Sequence, residues 1–162
     1  MNVLLEIIPP PREWDSARLE RWVLRTSSVL RRFDGLTINI PEVVNEGRGS
    51  PRIVRYREKW APEAFAAMLE HKIPDVHVVL NKITVRMPES RLLRWVDDRV
   101  SEGHDTFVLV GGEADVSYPG PGVCEAAEKI RARHPNVKLG GITIFTRPGE
   151  CARIQNKINA GM

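Results

Sequence analysis

Apolar residues come in short blocks separated by longer stretches in which they recur every three or four positions, and this alternation sets the expected elements. Val3 to Ile8 reads as a buried strand, closed by Pro9-Pro10-Pro11, which lack the N–H that a strand ladder needs. From Asp15 to Phe33, the positions Ala17, Leu19, Trp22, Val23, Val29 and Leu30 follow helical spacing, with arginines and Glu20 between them. Gly35 to Ile40 forms the second strand, and Glu42 to Ser50, rich in glycine and charge, a loop. Pro62 opens a helix through Phe65, Met68 and Leu69 that Pro74 ends. Val76 to Leu80 is the third strand, and Ser90 to Val100 a helix with Leu92, Leu93, Trp95 and Val96 inward. Thr106 to Val110 is the fourth strand, and Pro121 opens a helix to Arg133. Lys138 to Ile144 is the fifth strand, and a last helix from Glu150 to Ala160 stops at Gly161.

Strands alternating with helices of this length imply right-handed crossovers and a parallel sheet covered by helices. An open flavodoxin-like layer and part of a (β/α)8 barrel both satisfy the pattern. The 162 residues suit one domain and favour the open layer, since a full barrel takes about 250. A net charge of +3 spread over interspersed acids and bases gives no basic face for nucleic acid. Cys124 and Cys151 lie outside any CxxC spacing, which argues against a disulfide framework or a zinc site and for a reducing, cytoplasmic setting. There is no signal-like start and no apolar run near the roughly 18 residues of a membrane span.

In either parallel architecture the site lies at the carboxyl ends of the strands. The expected rim is Glu6, Thr37 with Asn39, His77 with Asn81, Gly111-Gly112-Glu113, and Thr143 with Thr146-Arg147. Glu6 sits in an apolar strand, so it is either paired with a base such as Arg12 or a general acid whose pKa is raised by apolar walls. His77 is either a satisfied core histidine or a ligand contact. Gly111-Gly112 would let backbone approach a planar or phosphorylated ligand, without the spacing of a dinucleotide fingerprint or a P-loop. Tyr118 to Gly122 reads as a stiff turn into a helix, and the four tryptophans as packing residues. The absence of a GxSxG-like nucleophile setting disfavours hydrolase chemistry.

In order along the chain, Glu6-Ile7-Ile8-Pro9-Pro10, Leu36-Thr37, His77, Leu109-Val110-Gly111-Gly112-Glu113, Glu150 and Lys157-Ile158-Asn159-Ala160-Gly161 resemble the motifs of the methylenetetrahydrofolate reductase family. That family consists of flavin-dependent (β/α)8 barrels. The resemblance implies a partial barrel of about five βα units over 1–162, incomplete at its C-terminus. By the same resemblance, Glu6 and Glu113 are catalytic, while Thr37, His77, Gly111, Gly112, Glu150 and Lys157 hold FAD. Hydride would pass from reduced flavin to the methylene group of 5,10-methylenetetrahydrofolate, with NAD(P)H or another reductant behind it. Gly-Gly-Glu replaces the family's Arg-Gly-Asp, no Tyr-Pro-Glu follows strand five, and the chain stops where strand six would begin. Either these residues are therefore a fragment of a longer protein, or the expected assembly is a homo-oligomer or a partner subunit closing the sheet. Two other readings stay open: a non-catalytic barrel remnant that holds a pterin, corrinoid or nucleotide for a partner, and a flavodoxin-like carrier.

Overall fold

A computed structural model of the chain describes residues 3–45, 55–113 and 116–162. The expected loop from Glu42 to Ser50 is therefore described only as far as residue 45; residues 46–50 lie outside the described residues. Five parallel strands in the order β1-β2-β3-β4-β5 alternate with helices, and the chain divides into two compact units, Met1–Leu80 and Asn81–Met162.

The first unit contains β1 (Val3–Glu6), α1 (Ser16–Leu30), β2 (Leu36–Ile40), α2 (Pro62–Glu70) and the opening residues of β3 (His77–Ile83). Helix α1 starts where Asp15 accepts a hydrogen bond from the Arg18 N–H at 2.7 Å, which satisfies one of the orphan donors of the first turn. It buries Leu19, Val23 and Leu30 along one stripe. Strand β2 alternates strictly: Leu36, Ile38 and Ile40 are buried, while Thr37 and Asn39 are half-buried on the other face. The Trp22 ring meets Phe65 of α2 at 5.3 Å between centroids, which joins the two helices. An antiparallel bridge between Pro11 and Lys59, flanked by an Arg12–Glu58 ion pair of 3.0 Å, ties the β1–α1 connection to the segment before α2.

The second unit continues β3 and adds a 3₁₀ turn (Thr84–Arg86), α3 (Glu89–Ser101), β4 (Thr106–Val110), α4 (Val123–Arg133), β5 (Lys138–Gly141) and α5 (Glu150–Asn159). Leu92 and Val96 of α3, Phe107 and Leu109 of β4, and Ala126, Ala127 and Ile130 of α4 make its core. Trp95 packs edge-on against Phe107 at 5.6 Å. Strand β3 runs three residues past its expected end, through Asn81 and Lys82, which look polar in sequence but are both 5% exposed. The Lys82 ammonium lies 5.1 Å from the centre of the Trp95 ring, whose negative face lets a charged tip stay inside. Strand β5 ends early, at Gly141, and Ile142 and Ile144 belong to the exposed connection to α5.

Helices α3 and α4 are also joined by Asp97, which meets His134 Nε2 at 2.7 Å and Arg133 at 2.6 Å. The His134 hydrogen bond, followed by the charge of Arg133, holds the Asp97 carboxyl below the usual carboxylate range. A carboxyl with a lowered folded pKa stabilises fully above its unfolded value, and that contribution disappears as pH falls through the lowered one. The expected result is that Asp97→Asn lowers thermal stability near neutrality by at most about 1 kcal/mol, because solvent reaches the group. The deficit against wild type should shrink as the pH is taken down to about 3 in a series of melting curves. A deficit that stays constant with pH would remove the carboxylate from this account.

Candidate functional site

Within the first unit, Glu6 ends β1 directly beside Asn39 of β2, and the Asn39 Nδ2 donates to Glu6 Oε2 at 3.0 Å. The strand order leaves β1 at an edge, so Glu6 is exposed and the expected carboxylate walled by apolar side chains is not what forms. Nor does Arg12 pair with it, since Arg12 is taken by Glu58. The Asn39 Oδ1 is buried and accepts no hydrogen bond. What the pair offers a donor-bearing ligand is the exposed Glu6 carboxylate, held in place by the Asn39 amide.

Thr37 and His77 stand opposite each other in the β2–β3 register, two residues toward the amino ends from Asn39. The parallel ladder puts them on the same face as Glu6 and Asn39. His77 is exposed at the start of β3, and not at its carboxyl end, because the strand continues to Ile83. It is therefore neither a core histidine nor a residue of the carboxyl rim.

Within the second unit, a cleft of about 440 Å³ opens where β4 and β5 end and α4 begins, with α5 along one side. Gly111, Gly112 and Cys124 line it from one side, and Arg147, Arg153 and Lys157 supply positive charge from the other. The two glycines differ in purpose. A side chain at Gly112 would overlap the ring of Tyr118, whose hydroxyl accepts a hydrogen bond from the Glu113 N–H at 3.0 Å. Gly112 is thus required by packing within the chain, while Gly111 lines the cleft and a Cβ added there would meet Val123 Cγ2 at 3.3 Å. Glu113 follows at the exposed end of this segment.

Glu150, the first residue of α5, is 5% exposed. Its Oε1 accepts from the Ile144 N–H at 3.1 Å, and Arg147 Nε and Lys157 Nζ each approach its carboxylate to 3.7 Å. Lys157 Nζ donates to the Ile142 carbonyl. The Ile144 N–H first, and then the charges of Arg147, Lys157 and Arg153, hold the Glu150 carboxyl below the usual carboxylate range. Glu150 and Lys157 are thus brought together, but on each other and on the β5–α5 connection. Arg153 escaped the sequence reading, although Glu150, Arg153 and Lys157 follow the i, i+3, i+7 spacing of one helix face. Among the described residues, three cations face the one carboxylate of Glu150, a surplus of two positive charges that suits a dianion. Among the described residues, no group of three or more metal-ligating side chains forms, and no helix is long and apolar enough to cross a membrane.

No family model and no curated protein matches the sequence. Among solved structures, the chain is similar to an uncharacterized protein from Clostridium thermocellum that binds two copies of 5-methyl-5,6,7,8-tetrahydrofolic acid. The TM-score is 0.72 at 18% identity, over 99% of this chain and 52% of that one. At this identity the likeness concerns the fold, and the chain spans about half the length of the protein it matches.

Proposed function

We propose that this chain is part of a barrel-type α/β protein that binds a reduced folate, with the glutamate end of the ligand in the cleft of the second unit. The observation that carries the reading is the cleft itself, lined by Arg147, Arg153 and Lys157, with the carboxylate of Glu150 behind the lining as the one acid meeting them among the described residues. A folate glutamate carries two carboxylates, and charge-assisted hydrogen bonds from arginine hold such groups best. The ligand of the similar Clostridium thermocellum protein supports the same class.

A second reading, reduction of methylenetetrahydrofolate by FAD, is favoured by the place of Glu6 at the carboxyl end of β1, where an acid could meet a departing nitrogen. The residues assigned to the flavin suit it less well. Glu150 and Lys157 already bond the β5–α5 connection, Tyr118 fills the space above Gly112, and His77 stands at the amino end of its strand. We derive no hydride step through them.

Titration calorimetry of the full chain with 5-methyltetrahydrofolate tests the leading reading. The expected result is saturable binding without added flavin, and much weaker binding of a pteroate lacking the glutamate. No heat with either compound would sink folate binding. A visible flavin band retained after reconstitution with FAD would instead favour the reductase.

A further inference from the structure

Glu150 has a puzzling place beside a cleft that gathers positive charge. It is 5% exposed, does not itself line the cleft, and yet meets three residues that do. Its Oε1 holds the Ile144 N–H, and its carboxylate lies 3.7 Å from Arg147 Nε on one side and from Lys157 Nζ on the other. The connection from β5 to α5 is fastened around it at several points. Lys157 caps the Ile142 carbonyl, the Arg147 N–H returns to the Ile144 carbonyl at 2.9 Å, and the Glu150 N–H returns to the Arg147 carbonyl at 3.2 Å.

Taking the cleft as the anion site proposed above, we infer that Glu150 is a positioning residue: its buried carboxylate orients Arg147 toward a bound anion and holds the charge of Lys157 beside it, without touching that anion. Long cationic side chains lose several rotatable bonds when a ligand immobilises them, and like charges side by side repel each other. A fixed carboxylate between two of them removes both obstacles before the ligand arrives, which is preorganisation in its electrostatic form. The Oε2 atom, which accepts no hydrogen bond among the described residues, leaves Arg147 held by charge at 3.7 Å, with its side chain still open to solvent.

This role and a plain charge effect predict opposite signs. Glu150→Gln keeps an acceptor for the Ile144 N–H and adds one net positive charge to the cleft. If the carboxylate merely dampens the field, anions bind the variant more tightly. If it positions the cations, anions bind less tightly, by on the order of tenfold, the loss typical when a side chain supporting a ligand-holding group is removed.

The experiment titrates wild type and Glu150→Gln with two probes, 5-methyltetrahydrofolate and inorganic pyrophosphate, and records melting curves of both proteins. Weaker binding of pyrophosphate by a folded Glu150→Gln supports the inference, and equal or tighter binding overturns it. Should that variant fail to fold, Glu150→Asp decides. It keeps the charge but falls one methylene short, so weaker binding supports positioning and wild-type binding refutes it. Wild type that binds pyrophosphate but no folate would overturn the folate reading alone, with the pyrophosphate comparison still deciding the role of Glu150. Wild type that binds neither overturns both.

Discussion

Gly120→Ala is expected to be strongly destabilising, because the added methyl group has no room. Gly120 passes directly over the turn that follows β3: its N–H donates to the Val85 carbonyl at 2.9 Å, and the neighbouring Pro121 carbonyl accepts from the buried Thr84 hydroxyl at 2.9 Å. A methyl group at Gly120 would overlap the carbonyl oxygens of Met87 and Thr84 and lie 2.9 Å from the Val85 carbonyl carbon. All three are backbone atoms, so relief requires moving the turn and breaking the bonds it makes, where a crowded side chain would only change rotamer. The expected cost is about 3 kcal/mol or more, read as a lower urea midpoint in equilibrium unfolding. Gly122→Ala is the matched control, because φ there is −62° and nothing lies within 4 Å of the added group. It should shift stability by less than about 1 kcal/mol. Gly112→Ala falls between them, since the Tyr118 ring can swing aside whereas Val85 Cγ2, at 2.9 Å, has less room. Gly120→Ala melting together with wild type would show that the turn yields freely and that this close approach has no energetic weight.

That close approach was only half legible in the sequence. Tyr118 to Gly122 reads as a turn because glycine and proline alternate there, but nothing in the order of residues says that Gly120 must touch the turn after β3, more than thirty positions earlier. The same division runs through the fold. Strand β4 lies where the pattern puts it, Thr106–Val110, because an alternating apolar run is bracketed by turn residues on both sides. Strand β3 does not, because a burial pattern is inferred from residue type, and Asn81 and Lys82 are buried against type; an indole ring sheltering an ammonium is a tertiary event. Glu6 fails in the opposite sense. Apolar neighbours suggest a buried strand, yet exposure depends on whether a strand stands at the edge of the sheet, and order within the sheet is not a local property. In the cleft, Glu150 and Lys157 were legible as residues to watch, while their mutual engagement became visible only once the β5–α5 connection folded back between them.

The cations left to meet a ligand carry the remaining large effect. Lys157 is committed to the Ile142 carbonyl and to Glu150, whereas Arg147 has a side chain 41% exposed and Arg153 is exposed at the mouth of the cleft. These two arginines are therefore the side chains expected to contact the glutamate carboxylates. Removing one should weaken 5-methyltetrahydrofolate binding about tenfold, the lower end of what a charge-assisted hydrogen bond contributes, because water competes at an open site. Arg147→Ala combined with Arg153→Ala should reach roughly a hundredfold, with the two losses adding where each arginine holds its own carboxylate. Both variants should melt close to wild type, since neither guanidinium supports the core. The measurement is calorimetric titration at two ionic strengths with 5-methyltetrahydrofolate and with the pteroate that lacks the glutamate. Affinity for the first should fall with salt in wild type and lose most of that dependence in the double variant, because the long-range attraction being screened is the one the arginines supply. Affinity for the second should not change in any variant. A double variant that binds the folate as wild type does would place the glutamate elsewhere and leave this cleft without its proposed ligand.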